Sequence, residues 1–574
     1  MVKKHLFSKK TAAKSVAVLL SAAFVLSACG GGDKKKTTSQ SEQQQEEEST
    51  EKEIQVEGTE VPVNLATNLN IIEDNNRNYY EVFVASFYDS DGDGMGDIKG
   101  LIEKLDYIND GDDSTDTDLG CNGIWLMPIS PSPSYHKYDV VDYYGIDEAY
   151  GTLDDFKLLI EECHKRDIKL IIDLVMNHSS VANQWFKDAK DYLKTLPDDK
   201  EPDASECKYV NYYTFSKTEV SGQYYPAGSS SYYYEGMFSQ QMPDLNLDNP
   251  DVRAEFEQIA KYWLDMGVDG FRLDAAKEYF SGETDKNIEV LTWFNNYVKS
   301  VNPDAYIVAE TWCADNARYT ESGINSAFDF SYADSTGTAY LVTRANDETY
   351  NGRYFADSIK KSQDTLAASN PDAIMAAFID NHDINRKAHM LAFEEKHIKF
   401  AHGLLGLTNG SPFIYYGDEI GLGGVGADEN KRSPMIWSST DTTGICKGPI
   451  NMKSEEVINK FESVEDQLKD DKSILSYVKQ SIKLRNTFPE IARGKIEVID
   501  EVTDPDICAI SKTYNDSKII ILANANSEEP KVVELSRENN GYTCIQGILT
   551  VGKSQPKQVD DKIVLPPLSI VILK

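Results

Sequence analysis

Short apolar runs that end in polar residues recur along this chain: EVFVASF, GIWLMPI, KLIIDLVMN, GFRLDAA, AYIVAE, SAFDFS, IMAAFIDNHD and PFIYYGDE. Amphipathic stretches separate them. LDDFKLLIEECHKRD sets Leu153, Phe156, Leu159, Ile160 and Cys163 on one helical face, and VRAEFEQIAKYWLDMG precedes the fourth run in the same way. Strands alternating with helices predict a (β/α)8 TIM barrel of class α/β, and the lack of a Gly-rich dinucleotide turn after the first run argues against an open doubly wound sheet. One connection breaks the rhythm. About seventy residues, rich in Tyr and Gly, lie between His178 and Asn249, where such units ordinarily use about two to six. They predict an inserted subdomain over 179–249, after strand 3, leaving 63–178 and 250–488 for the barrel. Beyond SIKLRNTFPEIARG, the runs DICAISKTY, KIIILANA and IVLPPLSIVILK predict a C-terminal antiparallel β-sandwich over 489–574.

The N-terminus has a different character. Lys3, Lys4, Lys9, Lys10 and Lys14 precede the apolar run VAVLLSAAFVL, which is short for a membrane span and reads as an export signal over 1–28. LSAC, at Leu26 to Cys29, resembles a bacterial lipobox, which implies cleavage before Cys29 and lipidation of its sulfur. Residues 29–62 are polar enough to form a disordered tether. These features predict a lipoprotein on the extracellular face of a bacterial membrane, touching that membrane only through its anchor. Lys plus Arg total 58 against 94 Asp plus Glu, a net charge of −36. That balance excludes nucleic acid and anionic lipid as partners and suits a neutral ligand. The seven cysteines after Cys29 lack CxxC spacing, so neither a disulfide framework nor a zinc site is expected.

Candidate chemistry gathers where strands end. In GFRLD, Arg272 and Asp274 share one face of a strand whose other face carries Phe271 and Leu273. Three more strand ends carry the same anomaly: DLVMNH with Asp173, Asn177 and His178, VAE with Glu310, and FIDNHD with Asn381, His382 and Asp383. In a barrel these ends converge on one mouth. Ahead of them, DSDGDGMGD sets Asp89, Asp91, Asp93 and Asp97 at the first, third, fifth and ninth places of an EF-hand-like loop, with the Met95 carbonyl at the seventh. Its twelfth place is Gly100 rather than Glu. Four carboxylates so close repel unless a cation sits among them.

In this combination and order the motifs resemble those of the α-amylase family, glycoside hydrolase family thirteen, over about Tyr79 to Lys574. The resemblance implies that Asp274 is the nucleophile, Glu310 the general acid/base and Asp383 the third carboxylate, with Arg272 lowering the pKa of Asp274. It also implies that Tyr138 is an aromatic platform for the reacting sugar and that His178 and His382 hydrogen-bond that sugar. Asp139, His136 and Lys277 are further polar candidates. The acidic loop looks like the calcium loop of oligo-1,6-glucosidase and neopullulanase relatives, so Ca2+ is the expected cofactor. Departures narrow the picture. Lys277–Glu278 stands where many family α-amylases have Lys-His, which removes support for a second calcium shared with Asn177. MPDLN, at Met242 to Asn246, is intermediate between the oligo-1,6-glucosidase and neopullulanase forms. The expected activity is retaining endo-hydrolysis of α-1,4-glucosidic bonds in an α-glucan by a monomer. The rivals are an exo-acting α-glucosidase or oligo-1,6-glucosidase, a neopullulanase-like activity, and a surface glucan-binding protein on a dead barrel.

Overall fold

The computed structural model describes residues 54–574 apart from 198, 219–222 and 345–347. The export signal, Cys29 and most of the tether lie outside the described residues. Eight parallel strands form the central sheet: β1 Tyr79–Val82, β2 Gly123–Leu126, β3 Lys169–Leu174, β4 Gly270–Leu273, β5 Tyr306–Ala309, β6 Ser326–Asp329, β7 Ala376–Ala377 and β8 Phe413–Tyr415. They pair in chain order, β8 returns to β1 through Phe413↔Tyr79, and a bridge between Phe378 and Phe413 links β7 to β8. The barrel therefore closes, as the recurrent runs predict.

Two layers follow from the two-residue period of a strand. Tyr80, Val82, Ile124, Leu126, Phe271, Leu273 and Ile307 face outward and join the core beneath the helices. Tyr79, Trp125, Ile171, Tyr306, Val308, Phe328 and Phe413 face inward and fill the lumen, where Tyr79 stacks between Tyr306 at 5.2 Å and Phe413 at 4.8 Å. Continuing the inward period carries Glu81, Asp173, Arg272, Asp274 and Glu310 up to the carboxyl-terminal mouth.

The covering helices carry the expected signals. Leu153–Lys165 opens on a Thr152/Asp155 capping box and buries Phe156, Leu159, Ile160 and Cys163. Pro250–Met266 starts at Asn249 with proline in its first turn and stops at Gly267, whose φ of +113° suits a left-handed cap. In the insertion, helix Gln184–Thr195 accompanies a three-stranded sheet of Phe215–Ser216, Tyr233–Glu235 and Tyr224–Pro226. Bridges from His178 to Asp244 and from Tyr213 to Leu245 tie the end of the insertion back to its start.

At the C-terminus a five-stranded and a four-stranded antiparallel sheet enclose Ile507, Ile520, Leu522, Val533, Leu565 and Val571. One strand of the smaller sheet comes from the other end of the chain: Glu60–Val61 pairs with Lys557–Val559. The polar tether expected over 29–62 thus ends in an ordered edge strand. Backbone pairing holds this segment with little apolar burial, so its composition gave no sign of it. Among the described residues no helix is long and apolar enough to cross a membrane.

Candidate active site

Arg272 is the hub of the mouth. It is 1% exposed. Its Nη1 donates to Asp173 at 2.9 Å and to Asp274 at 2.6 Å, and its Nη2 reaches Glu310 at 2.9 Å. The Trp125 ring lies 5.1 Å from the guanidinium carbon, a cation–π floor. On the far side of the mouth, Asp383 meets His382 Nε2 at 3.1 Å and Arg432 Nη2 at 3.2 Å. The Lys431 ammonium donates to the Asp383 carbonyl at 2.5 Å. His382 in turn meets Glu81 Oε1 through Nδ1 at 2.5 Å and the Tyr138 hydroxyl through Nε2 at 2.8 Å.

Local backbone geometry sets two of these groups. Ala275, directly after the strand that delivers Asp274, has φ +46°. That left-handed turn costs about 1–2 kcal/mol for a residue with a Cβ. It turns the Ala275 N–H onto Glu310 Oε2 at 3.0 Å.

The electrostatics divide the carboxylates. Burial raises the Asp274 pKa, opposed by the charge and hydrogen bond of Arg272. Arg272 therefore acts in the expected direction, but desolvation outweighs it. Burial also raises Glu310, opposed by the charge of Arg272 and the hydrogen bond from the Ala275 N–H. Asp383 is only partly buried; desolvation raises its carboxyl too, yet the adjacent His382 and Arg432 outweigh that and hold it below the carboxylate range. Asp173 is pushed up to about 7 by burial against the pull of Arg272. The shorter bond of Asp274 to the Arg272 guanidinium favours its ionised form over that of Glu310.

A cleft of about 450 Å³ opens over these groups, lined among others by His136, Tyr138, His178, Asp274, Lys277, Glu310 and Asp383. His178 Nε2 is buried without a partner, and burial lowers its pKa to about 4. It thus presents a neutral imidazole. Lys277 is paired with Glu278 at 2.5 Å. Three expected contacts take a different form. Asp139 is 3% exposed and accepts from the hydroxyls of Ser132, at 2.6 Å, and Ser134, so it braces its own loop. His382 and Arg272 are too deeply buried to line the cleft, and they reach it through Asp383, Tyr138 and the other carboxylates.

Sequence reasoning missed Glu81, Arg432, Phe238 and Trp312. Glu81 carried a readable signal, a carboxylate on the inward period of β1. The other three stand in irregular segments where no periodicity marks them. Phe238 and Trp312 are about half exposed and line the cleft. Phe238 packs on His178 at 5.3 Å, and Trp312 stacks on Phe330 at 4.8 Å.

In the acidic loop, ligand oxygens of Asp89, Asp91 and Asp97 lie within 4.8 Å of one another. Asp93 is not in that cluster. Its carboxylate accepts the Met95 N–H at 2.7 Å, and its carbonyl accepts Lys447 Nζ at 2.6 Å.

A closed parallel barrel with a buried arginine among carboxylates at its carboxyl mouth defines a barrel enzyme that works by acid–base and carboxylate chemistry. The sequence profile of the alpha amylase catalytic domain matches residues 81–494. Alpha-amylase 3 of Dictyoglomus thermophilum is 35% identical over 512 residues, covering 86% of this chain and 92% of its own. Among solved structures, Eubacterium rectale Amy13B superposes with TM-score 0.83 at 41% identity, covering 88% of this chain and 97% of its own. The alpha-amylase from H. orenii follows at TM-score 0.74 and 35% identity, covering 87% and 99%. This chain belongs to the α-amylase family.

Proposed function

We propose that this chain hydrolyses internal α-1,4-glucosidic bonds of starch and maltodextrins with retention of anomeric configuration. The observation that carries the reading is the single guanidinium of Arg272 spanning Asp274 and Glu310, at 2.6 and 2.9 Å. That bridge holds both carboxyls against one guanidinium, which suits the close pair that a double displacement needs. Asp274 attacks the anomeric carbon while Glu310 gives its proton to the departing oxygen, and a glycosyl ester forms on Asp274. Glu310, now a base, takes a proton from the water that opens the ester. Asp383, held ionised, accepts from sugar hydroxyls. Tyr138, Phe238 and Trp312 offer ring faces to the pyranoses, and His178, which lines the cleft and leaves Nε2 without a partner, is a further polar contact. The relatives named α-amylase support endo action. Time courses on maltoheptaose test it: a mixed series of shorter maltodextrins from the first minutes is expected, and release of glucose alone contradicts it.

Calcium is part of the proposal. Asp89, Asp91 and Asp97 are hard oxygen ligands, and among the described residues no ion pair neutralises them. They would hold the ion and pin the loop after β1. The chain's place is proposed as well: a monomer tethered by lipid on Cys29 to the outer face of a bacterial membrane, acting on a neutral α-glucan. Cys29→Ala is expected to leave an active enzyme that no longer partitions into detergent, and unchanged partitioning contradicts the anchor.

A further inference from the structure

Glu81 has no part in the chemistry described above, yet it is 1% exposed in the barrel lumen. It projects from β1 between the register partners Trp125 on β2 and Tyr415 on β8. Its Oε1 lies 2.5 Å from His382 Nδ1. Donor count leaves two arrangements around that imidazole, a ring with both protons beside an ionised Glu81 or a neutral ring beside a protonated Glu81, and burial raises the Glu81 carboxyl against the opposing pull of His382 and Arg272. Nε2 faces Asp383 Oδ2 at 3.1 Å and the Tyr138 oxygen at 2.8 Å. Tyr138 has one hydroxyl proton, and Asp173 Oδ2 accepts it at 3.1 Å. A neutral ring with its proton on Nδ1 would turn a lone pair at Asp383. A neutral ring with its proton on Nε2 would turn a lone pair at Glu81, unless Glu81 carried a proton itself. A ring with both protons satisfies Glu81, Asp383 and the Tyr138 oxygen at once.

We propose that Glu81 is a positioning residue that holds His382 as an imidazolium, so that its Nε2–H keeps Asp383 ionised and Tyr138 in place beneath the reacting sugar. The inference rests on the glucosidase reading for its consequence, but the protonation state itself is read without substrate. The other charged groups near this ring pull both ways. Asp383 and Glu81 favour its charged form, Arg272 on β4 opposes it, and Asp173 on β3 and Asp274 after β4 add negative charge. Burial disfavours the charge, yet the two adjacent carboxylates outweigh it and hold the ring ionised up to about 9. The carbon faces of the site, the Trp125 ring at 5.6 Å and the Tyr138 ring at 5.7 Å, carry no net charge and fix its plane.

The test uses the full chain labelled with nitrogen-15 histidine, with the His382 signals assigned by their loss in His382→Gln. In the wild type both ring nitrogens are expected to show imidazolium shifts through pH 8. Glu81→Gln keeps the shape and removes the charge, so the His382 titration should fall by roughly one to two pH units. The kcat of that variant on maltoheptaose should drop at least about tenfold above the new midpoint, recover as pH falls below it, and leave KM little changed. A loss equal at every pH, or an unmoved titration, overturns the proposal. So does a neutral wild-type ring at pH 7, which decides the matter even if the variant fails to fold.

Discussion

Arg272 reaches Asp173, Asp274 and Glu310 with two nitrogens while almost wholly shielded from water. Its removal strands negative charge that cannot be solvated, so Arg272→Met should destabilise the fold by roughly 3–5 kcal/mol at neutral pH. The sign of the pH dependence follows from linkage. Asp173 titrates at about 7 in the folded protein against 3.8 unfolded, and losing the guanidinium raises its folded value further. The native state then binds protons that the unfolded state does not, so wild type and variant alike lose stability as pH rises from about 4 to 7, and the variant goes on losing it above 7 towards its own higher folded value. Thermal melts of both proteins at pH 5 and pH 8 should show the larger deficit at pH 8, and an equal deficit contradicts the role given to Arg272. At this scale the sequence exposed the residues that break a strand's period at its end, which is why Asp274, Glu310 and Asp383 were readable. It did not expose which way a loop residue turns. Asp139 faces its own serines, and Arg432 enters from a segment far along the chain, because loop side chains are placed by tertiary contacts that no local period encodes.

The strands were legible as elements because closing the barrel forces apolar side chains onto both faces, and the helices because their caps and stripes are local. The edge strand Glu60–Val61 was not, since its partner lies some five hundred residues away. Two elements position the site and can be tested. Gly270 opens β4, and a Cβ there would stand 1.9 Å from the Tyr306 carbonyl oxygen on β5. Gly270→Ala must therefore push apart the strands that carry Arg272 and Glu310. A loss of several kcal/mol, or failure to accumulate folded protein, is expected, and wild-type melting would contradict the register. The acidic loop follows β1, the strand of Glu81. If calcium binds the native loop, chelator should lower the Tm of the wild type, and Asp89→Asn should lower it without chelator and abolish the chelator effect. Metal analysis of purified protein completes that test: no bound calcium, together with no response to chelator or added calcium, contradicts the site.

The whole molecule divides labour by layer. Helices bury the outer faces of the strands, the sandwich packs on helices, aromatic rings plug the lumen, and the mouth is left to a network in which Glu81, Asp173, Asp274, Glu310 and Asp383 outnumber Arg272, His382 and Arg432. Such a network must keep protons of its own, one on Glu310 and one on His382 in the mechanism proposed. A net charge of −36 over the whole chain repels polyanions and leaves the approach of a neutral ligand unhindered. The central claim, that Asp274 attacks and Glu310 serves first as acid and then as base, is tested most directly by the anomer formed first. Proton magnetic resonance of a maltodextrin digest in its opening minutes, before mutarotation mixes the products, should show the α-anomer, because each of two displacements inverts the anomeric carbon. A β-anomer as first product would contradict the double displacement and with it the roles of both residues.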